Sequence, residues 1–404
     1  MNHSLLESWA ASKLADKKSE DPLYSEALSK LTIVIPSYNR QPFLLRQAVY
    51  WGYSNANVIM VDGSPKSISP SVKELIGKLP NVSYHHKHST FAKRMKLAFH
   101  YVSTPYAMMQ GDDEFYLKRG LAKATEPLEK NQELVACIGQ SLSFDVSHAN
   151  SEIYYSNGYD HQHYHVLQDS FRDRLIFAMR NYNCASCYAI LRQHVMKRWV
   201  DMLTDWECVY TPELQQAILT YLYGKLASVN EVYWLRSNEN SPVTNIPYSD
   251  RNLWFYDWYT LSQYCSERKT FVDDLSSELA RLYRIDFEEA RAIITDTIEE
   301  FLKFSMTRGY CSSKTSIRIV SKSLIKGILQ KILPAETFLK IKTTYSKIMS
   351  AEVKKYKDPN LASTNILDLE TIKELNEIES LVLEFYKVMQ IEKDSIGIDG
   401  VGSK

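Results

Sequence analysis

Three consecutive acids, Asp112, Asp113 and Glu114, follow an apolar run at residues 106–109 and Gly111. Carboxylates crowded at a strand end repel one another unless positive charge sits among them. Hard oxygen donors there suit Mg²⁺ or Mn²⁺, usually held together with a substrate's phosphates. As ordinary loop chemistry the same residues would make a solvated acidic turn. A further acid, Glu213, follows Thr211 and Pro212 and precedes Leu214, Ala217, Ile218, Tyr221 and Leu222 at helical spacing. Thr211 is the expected N-cap, with Pro212 at the first helical position. Glu213 then falls in a first turn, where the helix dipole favours a carboxylate. It reads as a helix-start acid or as a proton acceptor, with Asp205 and Glu207 as nearby rivals for the second role.

These side chains need elements to place them. A β-branched run at 31–36 and further short runs at 58–61, 82–84 and 106–109 read as buried strands. Helical spacing fills the intervals at 41–50, 72–79 and 90–102. Strand and helix alternating through short loops predict a parallel sheet covered on both faces. Ligands of such sheets bind outside the carboxyl ends of the strands. Residues 37–40, Asp62 and 112–114 all fall at those ends. Helices are expected again over 117–130, 171–180 and 193–203, with strands at 134–144, 185–191 and 226–236. Residues 145–167 read as irregular. His161, His163 and His165 alternate there, as an exposed histidine face or, alternatively, a metal site; His85, His86 and His88 are read the same way. On helix 90–102, Lys93 and Arg94 are either a solvated face or positive charge for phosphates.

Composition narrows the class. The 404 residues are 45% hydrophobic and 24% charged, which suits a globular chain of more than one domain. Lys and Arg together number 48, as do Asp and Glu, so no global charge argues for nucleic acid as a partner. Six scattered cysteines suit a reducing compartment, and Cys184 and Cys187 read as buried free thiols rather than a zinc site. The N-terminal residues lack a signal-peptide pattern, and no apolar run reaches the roughly 18 residues of a membrane span. A cytoplasmic location, peripheral to the membrane at most, is the expectation.

The order of these parts, over about residues 31–240, resembles the inverting glycosyltransferases of the GT-A fold, a large family with many bacterial polysaccharide and lipopolysaccharide enzymes. Thr-Ile-Val-Ile-Pro-Ser-Tyr-Asn-Arg, ending at Arg40, is similar to the family's opening strand and loop. Val-Ile-Met-Val-Asp-Gly-Ser is similar to its second strand, ending in an aspartate that contacts the nucleotide base, here Asp62. Gln-Gly-Asp-Asp-Glu-Phe resembles its DxD metal motif, although Gln110 stands where the family usually has the first Asp. Thr-Pro-Glu-Leu, a helix, Gly-Lys and a strand ending in Arg236 resemble the segment with its catalytic base, with Pro-Glu in place of the usual Glu-Asp.

The resemblance implies an α/β fold, a GT-A mostly parallel sheet with helices on both faces, followed by a mainly helical C-terminal region. It implies a nucleotide-sugar donor against Pro36, Tyr38, Arg40, Asp62, Arg94, Asp112 and Asp113. Mg²⁺ or Mn²⁺ would sit on Asp112, Asp113 and Glu114, and Glu213 would be the base of a single, inverting displacement. The acceptor would be a glycan or lipid-linked glycan of a bacterial surface polymer. A nucleotidyltransferase also needs strand-end carboxylates and Mg²⁺, but it calls for a glycine-rich loop that residues 36–40 do not offer. A catalytically silent homologue serving as a scaffold is the third alternative.

The expected division is an arm or helix over 1–30, the transferase domain over 31–245 and a helical domain over 246–404. Residues 313–350 carry Arg318, Lys322, Lys326, Lys331, Lys340, Lys342 and Lys347 among apolar pairs. That pattern suits either an anionic membrane surface or an amphipathic helix packed on the rest of the chain. The acidic helix expected over 365–392 is a potential partner for it.

Overall fold

The computed structural model describes residues 4–17, 22–147, 151–159, 161, 164–240, 253–308, 355–362 and 367–395. The basic segment 313–350, His163, Cys311 and the tail beyond 395 lie outside the described residues.

A single nine-stranded sheet organises the chain. Its parallel half comprises β1 (Leu31–Ser37), β2 (Asn57–Asp62), β3 (Val82–His86) and β4 (Tyr106–Met109), in the spatial order β3-β2-β1-β4. The connecting helices are α3 (Gln41–Trp51), α4 (Pro70–Gly77) and α5 (Phe91–Phe99), preceded by α1 (Ser4–Asp16) and α2 (Pro22–Ser29). β1 and β2 are buried almost end to end, as strands covered on both faces must be. Ser69 and Thr90 cap α4 and α5 through their side-chain oxygens. Register pairs Ser37 with Asp62 at the carboxyl ends, and the Gln110 amide continues the ladder by donating to the Val34 carbonyl. The alternation expected from sequence is therefore present, and it brings three polar strand ends to one edge.

The second half is built from longer strands. β5 (Phe115–Tyr116) leads into α6 (Lys118–Lys130), β6 (Leu134–Ser147) and β7 (Glu152–Asn157). After α7 (Phe171–Arg180) come a 3-10 turn, Cys184–Tyr188, and β8 (Ile190–Arg192). The elements α8 (Gln193–Met202), α9 (Thr211–Tyr223) and β9 (Lys225–Ser237) follow. β8 pairs antiparallel with both β4 and β6, and β9 runs parallel to β6 and antiparallel to β5. Helices α10 (Phe255–Thr260), α11 (Cys265–Tyr283), α12 (Phe287–Arg308) and α13 (Leu369–Ser395) form the helical C-terminal region.

Several expectations are corrected. The strand read over 185–191 begins as a helical turn, because Ser186 and Ala189 close turn hydrogen bonds to Asn183 and Ser186. Residues 145–167 are not all irregular: β6 runs on to Ser147 and pairs with β7, whose Ile153 and Tyr155 point inward. His161 is buried rather than part of an exposed face, with its ring in line with Tyr159 and Trp234. Cys187 is buried and free, as expected of a thiol in an apolar run. Leu6, Ala10 and Leu14 of α1 enter the core, where the helix packs on α3 and α13. α13 places Glu374 against the first backbone amides of α6, where a carboxylate satisfies otherwise open donors; its expected pairing with the basic segment falls on residues outside those described.

Candidate active site

The acidic loop after β4 is clamped from below by neutral amides. Gln110 is fully buried; its Nε2 donates to the Gln47 Oε1 and the Glu114 carbonyl, and its Oε1 accepts from the Trp51 indole. Gln47 in turn donates to the carbonyls of Asp112 and Glu114. An aspartate at position 110 could accept but not donate, so it could not close this network when ionised. The departure from the expected acidic run thus has a structural role.

Above the clamp, Asp112 and Asp113 share one cation. Arg40 Nη1 lies 3.0 Å from Asp112 Oδ1 and 3.1 Å from Asp113 Oδ2. Ser37 Oγ donates to Asp112 Oδ2 at 2.6 Å, and Asn240 Nδ2 donates to Asp113 Oδ2 at 2.7 Å. Burial, then the charge of Asp113, pushes the Asp112 carboxyl up to about 6, against the pull of Arg40 and Ser37. Arg40 follows Asn39, whose left-handed φ of 57° turns the chain back over the strand end, a conformation Asn tolerates. Glu114 does not join this pair. Its buried carboxylate accepts from the Trp234 indole at 3.1 Å, and burial, then Asp113, pushes it up to about 8. Among the described residues no group of three or more His, Cys, Asp or Glu side chains is arranged to hold a metal. The expected three-carboxylate cluster is therefore replaced by a two-carboxylate one. Two carboxylates still fit Mg²⁺ or Mn²⁺, which bind through one or two acids and complete their shell with water and substrate phosphates.

On the neighbouring strand, Asp62 is fully buried. It accepts from the Ser64 amide and hydroxyl, from Gln41 Nε2 at 2.8 Å and from the Tyr84 hydroxyl at 2.7 Å. A carboxylate so engaged organises the loops after β1 and β2. Pro36 is half-buried next to it, in register with Val61.

Arg94 rises from α5 into the same edge. It is only 7% exposed, and its guanidinium carbon lies 5.8 Å from the centre of the Tyr38 ring. Burial lowers its affinity for the proton, and the charges of Asp62 and Asp112 oppose that. Its Nε has no hydrogen-bond partner, and no acid forms an ion pair with it among the described residues. Lys93, beside it, is exposed.

Glu213 lies on the other half of the sheet. α9 starts one residue earlier than expected, with Tyr210 as its cap and the buried Thr211 already helical. Glu213 Oε1 accepts from the Tyr182 hydroxyl at 2.6 Å. Burial pushes this carboxyl up to about 7, and the Tyr182 hydrogen bond opposes the rise. The rivals Asp205 and Glu207 are exposed. Tyr188 stacks on Trp234, 4.6 Å between ring centres, beside the indole that holds Glu114. An aromatic row of Tyr116, Trp234, Tyr159 and His161 backs Glu114.

Sequence reasoning missed Gln47, Arg46, Tyr182 and Asn240. Arg46 is fully buried, pairs with Glu239 at 2.8 Å and donates to the Asp113 carbonyl at 3.0 Å. A charged residue on the apolar face of the predicted helix 41–50 was the available signal for Arg46.

No protein-family model matches the chain, and no curated protein matches it. Among solved structures, S. aureus TarS 1–349 in complex with UDP aligns at a TM-score of 0.45 and 14% identity, over 69% of this chain and 74% of that one. S. aureus TarS 1–349 in complex with UDP-GlcNAc aligns at a TM-score of 0.41 and 12% identity, over 69% of this chain and 92% of that one.

Proposed function

We propose that this chain is a glycosyltransferase that moves a sugar from a nucleotide-sugar donor to a hydroxyl of a growing glycan, such as a bacterial lipopolysaccharide, O-antigen or capsule. The observation that carries the reading is one sheet edge holding both the Asp112–Asp113 pair, bridged by Arg40, and the buried Arg94, on which the charges of Asp62 and Asp112 act. A buried guanidinium that no acid pairs with among the described residues suits an incoming anion, and a planar donor fork suits phosphate.

The donor's nucleoside would lie against Pro36, Tyr38 and Arg40, with Asp62 holding Gln41 and Tyr84 in that wall. Arg94 would take phosphate oxygens, with Lys93 adding charge from the exposed face. Mg²⁺ or Mn²⁺ on Asp112 and Asp113 would offset the charge developing on the departing diphosphate. Glu213 would accept the proton of the acceptor hydroxyl while that oxygen attacks the anomeric carbon. The bond from that carbon to the diphosphate oxygen breaks in the same displacement, which inverts the configuration. A carboxylate poised at about 7 suits a general base at neutral pH. Contact of the basic segment 313–350 with an anionic membrane would bring the chain to a lipid-linked acceptor. Among the described residues no helix is long and apolar enough to cross a membrane.

The test is a thermal-shift screen against UDP-, GDP-, dTDP- and CMP-sugars, with and without Mn²⁺, followed by nucleotide release from the stabilising donor. One nucleotide class is expected to raise the Tm and to be turned over. No shift with any of the four overturns the donor assignment. Binding without release in the presence of a range of glycan acceptors favours the scaffold reading.

A further inference from the structure

The base proposed above does not stand alone. Tyr182 lies in the connection between α7 and the 3-10 turn, and its hydroxyl donates to Glu213 Oε1 at 2.6 Å. Its ring is wedged against α12, 4.8 Å from the centre of Phe301 and 6.2 Å from that of Phe304, both at steep angles. Phe301 itself packs edge-on to Phe255 of α10. Nearby, Arg180 at the end of α7 pairs with Glu300 of α12 at 2.6 Å. The C-terminal helices therefore fix where this phenol points.

We infer that Tyr182 is the positioning residue for Glu213: its hydroxyl occupies Oε1, holds the carboxylate in one orientation and leaves Oε2 to receive a proton. This inference rests on Glu213 being the base only for its consequence in catalysis. The hydrogen bond itself is a property of the protein.

A phenol that donates to a carboxylate favours the ionised form. Among the described residues, the other titratable groups that share charge effects with Glu213 are the phenols of Tyr188, in the 3-10 turn, and Tyr210, ahead of α9. From α8 the neighbour is the Trp199 indole, which donates to the Pro212 carbonyl. α12 presents the rings of Phe301 and Phe304 to Tyr182, while its Glu300 is engaged by Arg180 and Lys303. The nearby thiols Cys187 and Cys208 are buried. Tyr182 is thus the hydrogen-bond donor that sets the balance against burial at this carboxylate.

The experiment is carboxyl ¹³C NMR of the full chain labelled with [5-¹³C]glutamate. The Glu213 signal is identified as the one lost in Glu213→Gln. In Tyr182→Phe its titration midpoint is expected to rise by about one pH unit, the size of a hydrogen bond to a charged group. Incorporation of 3-fluorotyrosine at position 182 keeps the shape, strengthens the donor and is expected to move the midpoint down. An unchanged midpoint in the fluorotyrosine protein, or an unchanged or lowered one in Tyr182→Phe, overturns the inference. The titration uses neither donor nor acceptor, so it stands apart from the function proposed above. If the midpoint moves in Tyr182→Phe but the acid limb of nucleotide release does not move with it, Tyr182 keeps its hold on Glu213 and Glu213 loses its role as base.

Discussion

Arg94 and Gly63 fill complementary space: a Cβ added at Gly63 would fall 1.8 Å from Arg94 Nη1 and 2.7 Å from Cζ. The bare glycine after β2 is what lets the guanidinium reach the sheet edge. A buried cation that no acid pairs with among the described residues costs stability in the free protein, a cost that the charges of Asp62 and Asp112 reduce and that binding an anion recovers. Arg94→Met should therefore keep or raise the Tm while weakening donor binding about 10- to 100-fold, the range for losing a charge-assisted contact. Thermal unfolding and donor titration check both signs, and a variant that is less stable but binds normally would remove Arg94 from the anion site.

Arg46 and Glu239 make a buried ion pair, both side chains at or below 1% exposed. Ser237 also donates to Glu239, and Arg46 reaches on to the Asp113 carbonyl. Removing one charge leaves the other buried and unpaired. Glu239→Leu should cost about 3 kcal/mol in denaturant unfolding, and Arg46→Met combined with Glu239→Leu should recover most of it. Equal losses in the single and double variants would show that packing, not charge, dominates there.

How far the sequence could be read depended on the kind of signal. The parallel half was legible because each strand is an apolar run closed by a polar end, as in 31–37 and 57–62, and each helix between them has its own spacing. The two-residue β5 was not legible, since Phe115 and Tyr116 become a strand only by pairing with Leu235 and Trp234, more than a hundred positions away. The acids at 112–114 marked the site, but their directions depend on long-range partners. Arg40 turns Asp112 and Asp113 together, and Trp234 draws Glu114 inward. Tyr182 carried no sequence signal, because its role depends on α9 and α12, both remote in sequence, meeting it from two sides.

Glu114 and Glu213 give stability a downward slope with pH. Both carboxyls are raised from the ordinary 4.5, to about 8 and about 7, chiefly by burial. Between pH 4.5 and 8 the folded chain binds more protons at these sites than the unfolded chain does, so ΔG of unfolding falls as pH rises through that window. Glu114→Gln keeps an oxygen for the Trp234 indole and removes the titration. Its stability relative to the parent should therefore climb between pH 5 and pH 8, by a few kcal/mol in all, at a slope on the order of 1.4 kcal/mol per pH unit. Urea unfolding at the two pH values measures it, and a constant difference would argue against protonation as the cause.

Metal dependence follows from the proposed use of Asp112 and Asp113. EDTA should abolish nucleotide release, and Mn²⁺ or Mg²⁺ should restore it. Asp113→Asn should weaken metal-dependent donor binding while leaving metal-free nucleotide binding little changed, because Arg40 and Asn240 are both able to contact an amide oxygen. Turnover that persists after metal is stripped would remove this role from the pair and leave Arg94 as the cation facing the diphosphate.

Glu213→Gln separates chemistry from binding. The amide is nearly the same size, it can still accept from the Tyr182 hydroxyl through its oxygen, and it cannot take up a proton at neutral pH. Burial penalises the charged carboxylate, so the neutral amide should fold at least as stably at pH 8. Donor binding should be unchanged, since the phosphate and nucleoside contacts proposed above lie on the β1–β4 edge. Transfer to the acceptor should fall about 10²- to 10⁴-fold, the range for loss of a positioned base. Thermal unfolding, donor titration and initial rates on one preparation test the three statements together. Full activity would move the base elsewhere, and Asp205→Asn and Glu207→Gln would be the next variants to assay.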